Sequence, residues 1–379
     1  DGPAPAATPS EAEIARTRAV AAWQSYVWTL DRRRLLVARE DLVEAGRIAG
    51  GADFTHLYLL AYTHLVLGES RPGRAALEEA RQRAPGFVGL LLPEAFALIL
   101  EGRRDEALDV LDDYVARIET QEGDPAFGRE LALLGRVHRG VQRYEAGRYD
   151  GAVEDLTAVL ATAREEGRRP PGEAVLRLAL AHQMLQEFDA AEDLVRGLLA
   201  EDPGNAALYY NLGLLAGTRN RFDEAERWHL AALARRPAYA EPHLKLALLA
   251  QKRVDEDAGA LAAMRRHLDA FGALIGTEPA PGQVADLAAG EGAYWLAVGR
   301  QLDEAGLADR AGEAYERSLE RFRRALELEP GCLNALTRII RILYLLDRPD
   351  AERAPYMERE RRIRTGEDGA VREHRSTFC

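Results

Sequence analysis

Eight histidines, 62 carboxylates and two cysteines are the side chains of this 379-residue chain that could ligate a metal, move a proton or act as a nucleophile. Spacing decides whether they can work together. His56, His64, His138, His182, His229, His243, His267 and His374 are scattered, and the pair on one predicted helix, His56 and His64, lies eight residues apart. Two turns of helix separate that pair by too much for shared ligation. There is no H-E-x-x-H, no C-x-x-C-H, no zinc-type cysteine pattern and no glycine-rich phosphate loop. Packed or solvated histidines are the expectation. No catalytic residue, metal ligand or cofactor is assigned, and the chain reads as a non-enzyme. Carboxylates on segments such as FDEAER, from Phe222, read as solvent faces paired with arginine at helical spacing. Arg321, Arg323 and Arg324 form a local basic patch suited to an acidic partner. Cys332 and Cys379 are too few for a disulfide framework. Either they pair, tying the tail to the last repeat, or they are a buried small residue and a free terminal thiol.

The elements that would position these side chains recur along the chain. The segment Ala206–Pro237 reads as a helix–turn–helix unit, and its landmarks Leu212, Gly213, Phe222, Ala225 and Pro237 stand 34 residues after Leu178, Ala179, Phe188, Ala191 and Pro203. A fixed period with a small residue at the helix crossing and a proline closing the second helix resembles the tetratricopeptide repeat. That resemblance implies an all-α, right-handed superhelical solenoid, and the first-helix sequence places Tyr209, Leu212, Gly213 and Ala216 on its packing face. One hairpin buries too little apolar area to offset its chain entropy, so neighbouring units must stack.

Composition narrows the function classes. Hydrophobic content of 47% suffices for a continuous core, and a net charge of −12 argues against a nucleic-acid groove. Lys245 and Lys252 are the chain's lysines; the remaining basic charge is arginine, as a GC-rich bacterial genome would give. No apolar run is long enough to span a membrane. The opening DGPAPAATPSEAE reads as the new end left by signal-peptide removal or as a tether, with a trimmed cytoplasmic chain as the alternative. Export to the periplasm, cell surface or exterior is the expectation.

In chain order, residues 1–10 read as a flexible arm and 11–51 as a capping hairpin with a break near Asp31. Two repeat units fill 54–121; Gly73 stands where alanine is usual, which predicts a second helix weaker by up to about 1 kcal/mol. Pro93 predicts a kink or a late helix start. After the linker EGDPAFG, four units occupy 133–273, the last degenerate, with a joint at Arg168–Gly172. The 282–362 region reads as an elongated unit followed by a partial one. Landmarks there fit a start at Gly292 or at Gly299, and the seven-residue difference predicts a second helix lengthened by two turns, from about Ala308 to Glu329. Residues 363–379 read as an irregular tail.

The resemblance further implies a concave groove lined by positions 2, 5, 9, 12 and 13 of each first helix. Carried over, these positions make Tyr58, Tyr62, Phe96, Tyr144, Met184 and Tyr210 the candidate protein-binding residues, an apolar and aromatic set whose alternative is packing against neighbouring helices or a folded-in tail. The lysine and asparagine that clamp terminal carboxylates at positions 5 and 9 in some relatives are missing from these units. The function expected is a non-catalytic scaffold that binds other proteins through groove and edges. The alternative is a subunit that self-associates into, or coats, an extracellular assembly or filament. Partners are other proteins or copies of the chain, with no nucleic acid, membrane span or small-molecule substrate.

Overall fold

The computed structural model describes residues 10–49, 51–118, 125–276 and 279–365, and among them it is all-α, eighteen helices with no strand. Contacts divide the chain into two units meeting at Glu201 and Asp202. Unit 1 holds α1 (Glu11–Thr29), α2 (Arg32–Ala49), α3 (Phe54–Val66), α4 (Ser70–Arg83), α5 (Leu91–Leu100), α6 (Arg104–Ile118), α7 (Pro125–Glu145), α8 (Tyr149–Glu165), α9 (Gly172–Met184) and α10 (Phe188–Glu201). Unit 2 holds α11 (Ala206–Thr218), α12 (Phe222–Arg235), α13 (Ala240–Lys252), α14 (Ala260–Leu274), α15 (Pro281–Glu304), α16 (Ala308–Leu328), α17 (Leu333–Leu345) and α18 (Asp350–Thr365). Odd and even helices pair as hairpins, the helical-repeat pattern that the period implies.

Local chemistry sets the helix ends. Ser10 starts α1 with a capping box: its Oγ accepts from the Glu13 amide at 3.3 Å, and its own amide donates to Glu13 Oε2 at 2.7 Å. Seven of the hairpin turns share one feature, a left-handed residue fifteen positions into the repeat. Gly68, Gly102, Gly147 and Gly306 supply it at φ between 73 and 88°, whereas Gln186, Asn220 and Asp347 adopt φ of 51 to 63° with a side chain attached. The latter conformation costs a non-glycine residue about 1–2 kcal/mol.

Local geometry refines several expectations. A Cβ at Gly73 would lie 2.6 Å from Leu65 Cγ, so the glycine that stands in place of alanine permits the close α3–α4 approach. Of the two outcomes expected at Pro93, the late helix start is the one observed: α5 begins at Leu91, after a 3-10 turn at Val88–Leu90, which places the proline in its first turn. Helix α7 starts at Pro125, taking in the end of the supposed linker. Downstream of Pro349 the chain is not partial: α18 completes the last hairpin.

Both helices of the elongated unit are long, 24 residues in α15 and 21 in α16. The two competing registers turn out to be two crossings of one hairpin. A Cβ at Gly292 would lie 2.9 Å from the Phe322 ring, and one at Gly299 2.4 Å from the Tyr315 ring. Each glycine seats one aromatic of α16, seven residues apart on both helices.

Candidate functional site

In unit 1 the predicted groove residues are drawn into a packed aromatic cluster. Tyr58 and Tyr62 are 1% and 0% exposed. Helix α1, besides packing on α2, crosses to α7. It brings Trp23 and Tyr26 edge-on to Tyr62 at ring distances of 6.3 and 6.2 Å. From the other side Phe96 meets Tyr62 at 5.8 Å and His138 of α7 at 4.7 Å, and the Tyr62 hydroxyl is 2.8 Å from His138 Nε2. Burial pushes His138 down to about 3, so the ring is neutral, and pushes the Tyr62 phenol well above its ordinary range. Arg168 then stacks over Trp28 at 4.7 Å, fastening the end of α1 to the joint before α9. Tyr58 is closed in by Phe54 and Phe87, with its hydroxyl making no hydrogen bond. Tyr58, Tyr62 and the half-buried Phe96 are therefore core, not an open anchor set; Tyr144 is half-buried beside Tyr149 and Arg177, and Met184 is exposed. The N-terminal hairpin was expected to cap one end of the stack. It also supplies the plug.

Charges in unit 1 are equally committed. Asp155 of α8 has a side chain 0% exposed. Arg139 grips it through two bonds of 2.9 and 2.5 Å, and Arg143 adds a third at 3.0 Å. Both arginines also reach Asp112 of α6, at 3.1 and 2.8 Å. This carboxylate was expected on a solvent face; it is instead the buried centre of a three-helix ion network. His64 and His182, at matching positions in their repeats, each pair with the glutamate five residues on, at 2.5 and 2.6 Å, and His56 is buried. Among the described residues no three His, Cys, Asp or Glu side chains gather as metal ligands, and no helix is long and apolar enough to cross a membrane.

Unit 2 presents its first helices differently. Tyr210 is half-buried, its ring 5.4 Å from both His229 and Tyr239. His229 fills the α11–α12 crossing that Gly213 leaves open, where a Cβ would stand 2.4 Å from its ring; burial drives it down to about 3. Further along, α13, α15 and α17 surround a cavity of about 360 Å³. Its lining includes Leu248, Gln251 and Lys252 of α13, Ala293, Leu296 and Arg300 of α15, and Asn334, Arg338 and Arg341 of α17. Most of these occupy the same groove positions that produced the unit 1 candidates, counted from Ala240, Gly292 and Leu333. Applying the rule to the three C-terminal units would have found them; the irregular spacing of those units concealed the register.

The basic patch anticipated on α16 is spent on internal pairs. Arg321 meets Glu291 at 3.4 Å, Arg323 meets Glu352 at 2.9 Å and Arg324 meets Glu327 at 2.9 Å. Cys332 is fully buried at the start of α17, whereas Cys379 lies outside the described residues, and with it the question of pairing.

With this geometry in view, comparisons place the chain among helical-repeat proteins. A tetratricopeptide-repeat family model matches residues 143–212. The chain is similar in fold to a tetratricopeptide repeat protein from Parabacteroides merdae, with 17% identity, a TM-score of 0.51, and coverage of 77% of this chain and 98% of that one. Weaker likenesses include the C-terminal part of a repeat-containing protein from Cytophaga hutchinsonii (10% identity, TM-score 0.46, 74% and 99% coverage). Another is MamA from Desulfovibrio magneticus (17% identity, TM-score 0.40, 49% and 96% coverage). No curated protein matches the chain in sequence.

Proposed function

We propose that the chain is a non-catalytic scaffold that docks a segment of another protein on the first-helix face of unit 2. Tetratricopeptide-type folds serve generally as protein-interaction scaffolds, which supports the class. One contrast supports the location. The groove position Tyr62 of unit 1 is plugged by Trp23 and Tyr26, while those of α13, α15 and α17 surround a cavity with polar and apolar sides. A mixed lining of this kind, Leu248 and Leu296 beside Gln251 and Asn334, suits a peptide with one apolar side chain and several polar groups.

Affinity capture from the native source tests this reading with three baits: the parent chain, a groove-blocked Gln251→Glu/Arg341→Glu variant, and a Met184→Glu variant that alters an exposed residue of unit 1. Partners held by the parent and Met184→Glu but lost by the groove-blocked bait support the reading. Equal capture by all three overturns it. A second reading, self-association, is favoured by Leu36, Val37 and Val43 exposed at 40 to 52% on α2. Light scattering at rising concentration separates the two, since a scaffold keeps one mass and an assembling subunit grows.

A further inference from the structure

The cavity of unit 2 is unusual in its charge. Arg300, Arg338 and Arg341 converge on it in a chain whose net charge is −12. Arg300 is paired with Asp255, itself a lining residue, which leaves the Arg300 Nε buried without a hydrogen bond. Among the described residues, Arg338 and Arg341 meet no carboxylate; the one hydrogen bond made by the Arg338 guanidinium goes to the neutral Asn334 Oδ1 at 3.3 Å. Two other arginine clusters of the chain are paired instead. Arg139 and Arg143 share two aspartates, and Arg321, Arg323 and Arg324 of α16 each have a glutamate.

Arg338 is half-buried, and both burial and the like charges of Arg341 and Arg300 press its guanidinium below the usual arginine range. Such an arrangement opposes folding unless something neutralises it. Arg341 is exposed beside the half-buried Arg338, so a ligand with acceptors for both guanidiniums can bridge the two. A phosphoryl group carries about −1.5 to −2 charge at neutral pH and three acceptor oxygens, which suits two planar forks. Leu248 and Leu296, beside the arginines, offer apolar contact to whatever bears that group.

We propose that the α13–α15–α17 cavity binds a dianionic phosphoryl group through Arg338 and Arg341, with Arg300 at its edge. This rests on the reading that the cavity face is where unit 2 docks its partner. The phosphoryl group belongs either to a phosphorylated side chain of that partner or to a small phosphate ester.

Calorimetry on the full chain at low ionic strength tests the assignment, with inorganic phosphate, phenyl phosphate and benzoate as probes. Phenyl phosphate should bind at least tenfold tighter than benzoate, and Arg338→Gln and Arg341→Gln should each weaken it by tenfold or more. Both variants should keep the parent melting temperature or raise it, since each removes a repelled charge, and Arg338→Lys should recover part of the affinity. Equal binding of benzoate would reassign the cavity to carboxylates, and absence of phosphate and phenyl phosphate binding would overturn the proposal. If the groove-blocked bait still loses its partners in that second case, only the phosphoryl assignment falls and the docking face stands. A phosphoserine peptide binding tenfold tighter than free phosphoserine identifies a protein source; equal affinities identify a small ester.

Discussion

The two units use the same helical hairpin and spend its inner face in opposite ways. Unit 1 closes that face around α3 with an extra helix: α1 lays Trp23 and Tyr26 on Tyr62, and His138 completes the cluster from α7. Unit 2 leaves the corresponding positions of α13, α15 and α17 around a cavity bearing two arginines without carboxylate partners. The lesson is that a repeat's landmarks fix how helices cross, whereas the residues between landmarks decide whether the face is core or surface. Identical register thus gives a packed plug in one half and a hollow in the other.

The contrast can be broken most forcefully at the plug. Tyr62→Ala removes a fully buried ring touching four aromatic neighbours, and should destabilise unit 1 by about 3–5 kcal/mol. Hydrogen exchange should show the loss in α1, α3 and α7 while α13 to α17 keep their protection. Asp155→Ala should cost a comparable or slightly smaller amount, about 3 kcal/mol, because it leaves Arg139 and Arg143 with Asp112 alone. Urea unfolding measures this, and a shift below about 1 kcal/mol would show the network to be solvated.

Acid acts on both units. Burial lowers His138 and His229 from 6.5 to about 3, so below pH 6.5 the unfolded chain binds protons that the folded chain refuses. Their contribution is complete above pH 6.5 and declines as pH falls toward 3, by about 1 kcal/mol per pH unit for each histidine. Melting curves at pH 7 and 5 check the slope; His138→Gln should flatten it for unit 1 and leave the unit 2 response in place. The smallest change sharpens the comparison of turns. Gln186→Gly relieves a left-handed φ of 63° and should stabilise unit 1 by about 1 kcal/mol, read as a higher urea midpoint.

Much of the fold was legible because its determinants are local. Pro203 and Pro237 close helices, and Gly213 sits at a crossing whose partner, His229, is sixteen residues away in the same hairpin. Even the ambiguity between Gly292 and Gly299 carried information, since each marks a real contact, with Phe322 and Tyr315. The plug was not legible. Nothing local in the stripe of α1 says that Trp23 and Tyr26 will meet Tyr62, some forty residues away in sequence, with α7 closing the far side. Asp155 was misplaced for the same reason: its partners come from α7, and i,i+4 spacing along α8 does not reveal them. The unit 2 cavity lay within reach of the position rule, hidden only by the added length of α15.

The account depends most on unit 1 being filled while unit 2 is open. Hydroxyl-radical footprinting of the native chain, read residue by residue, tests this directly. Trp23, Tyr58 and Tyr62 should react as slowly as the core Phe322, Met184 and the exposed Tyr344 should react fast, and the cavity residues Leu248 and Leu296 should gain protection when a ligand is added. Modification of Tyr62 and Trp23 at the rate of Tyr344 would mean that α1 does not close the face, and would return the docking site to unit 1.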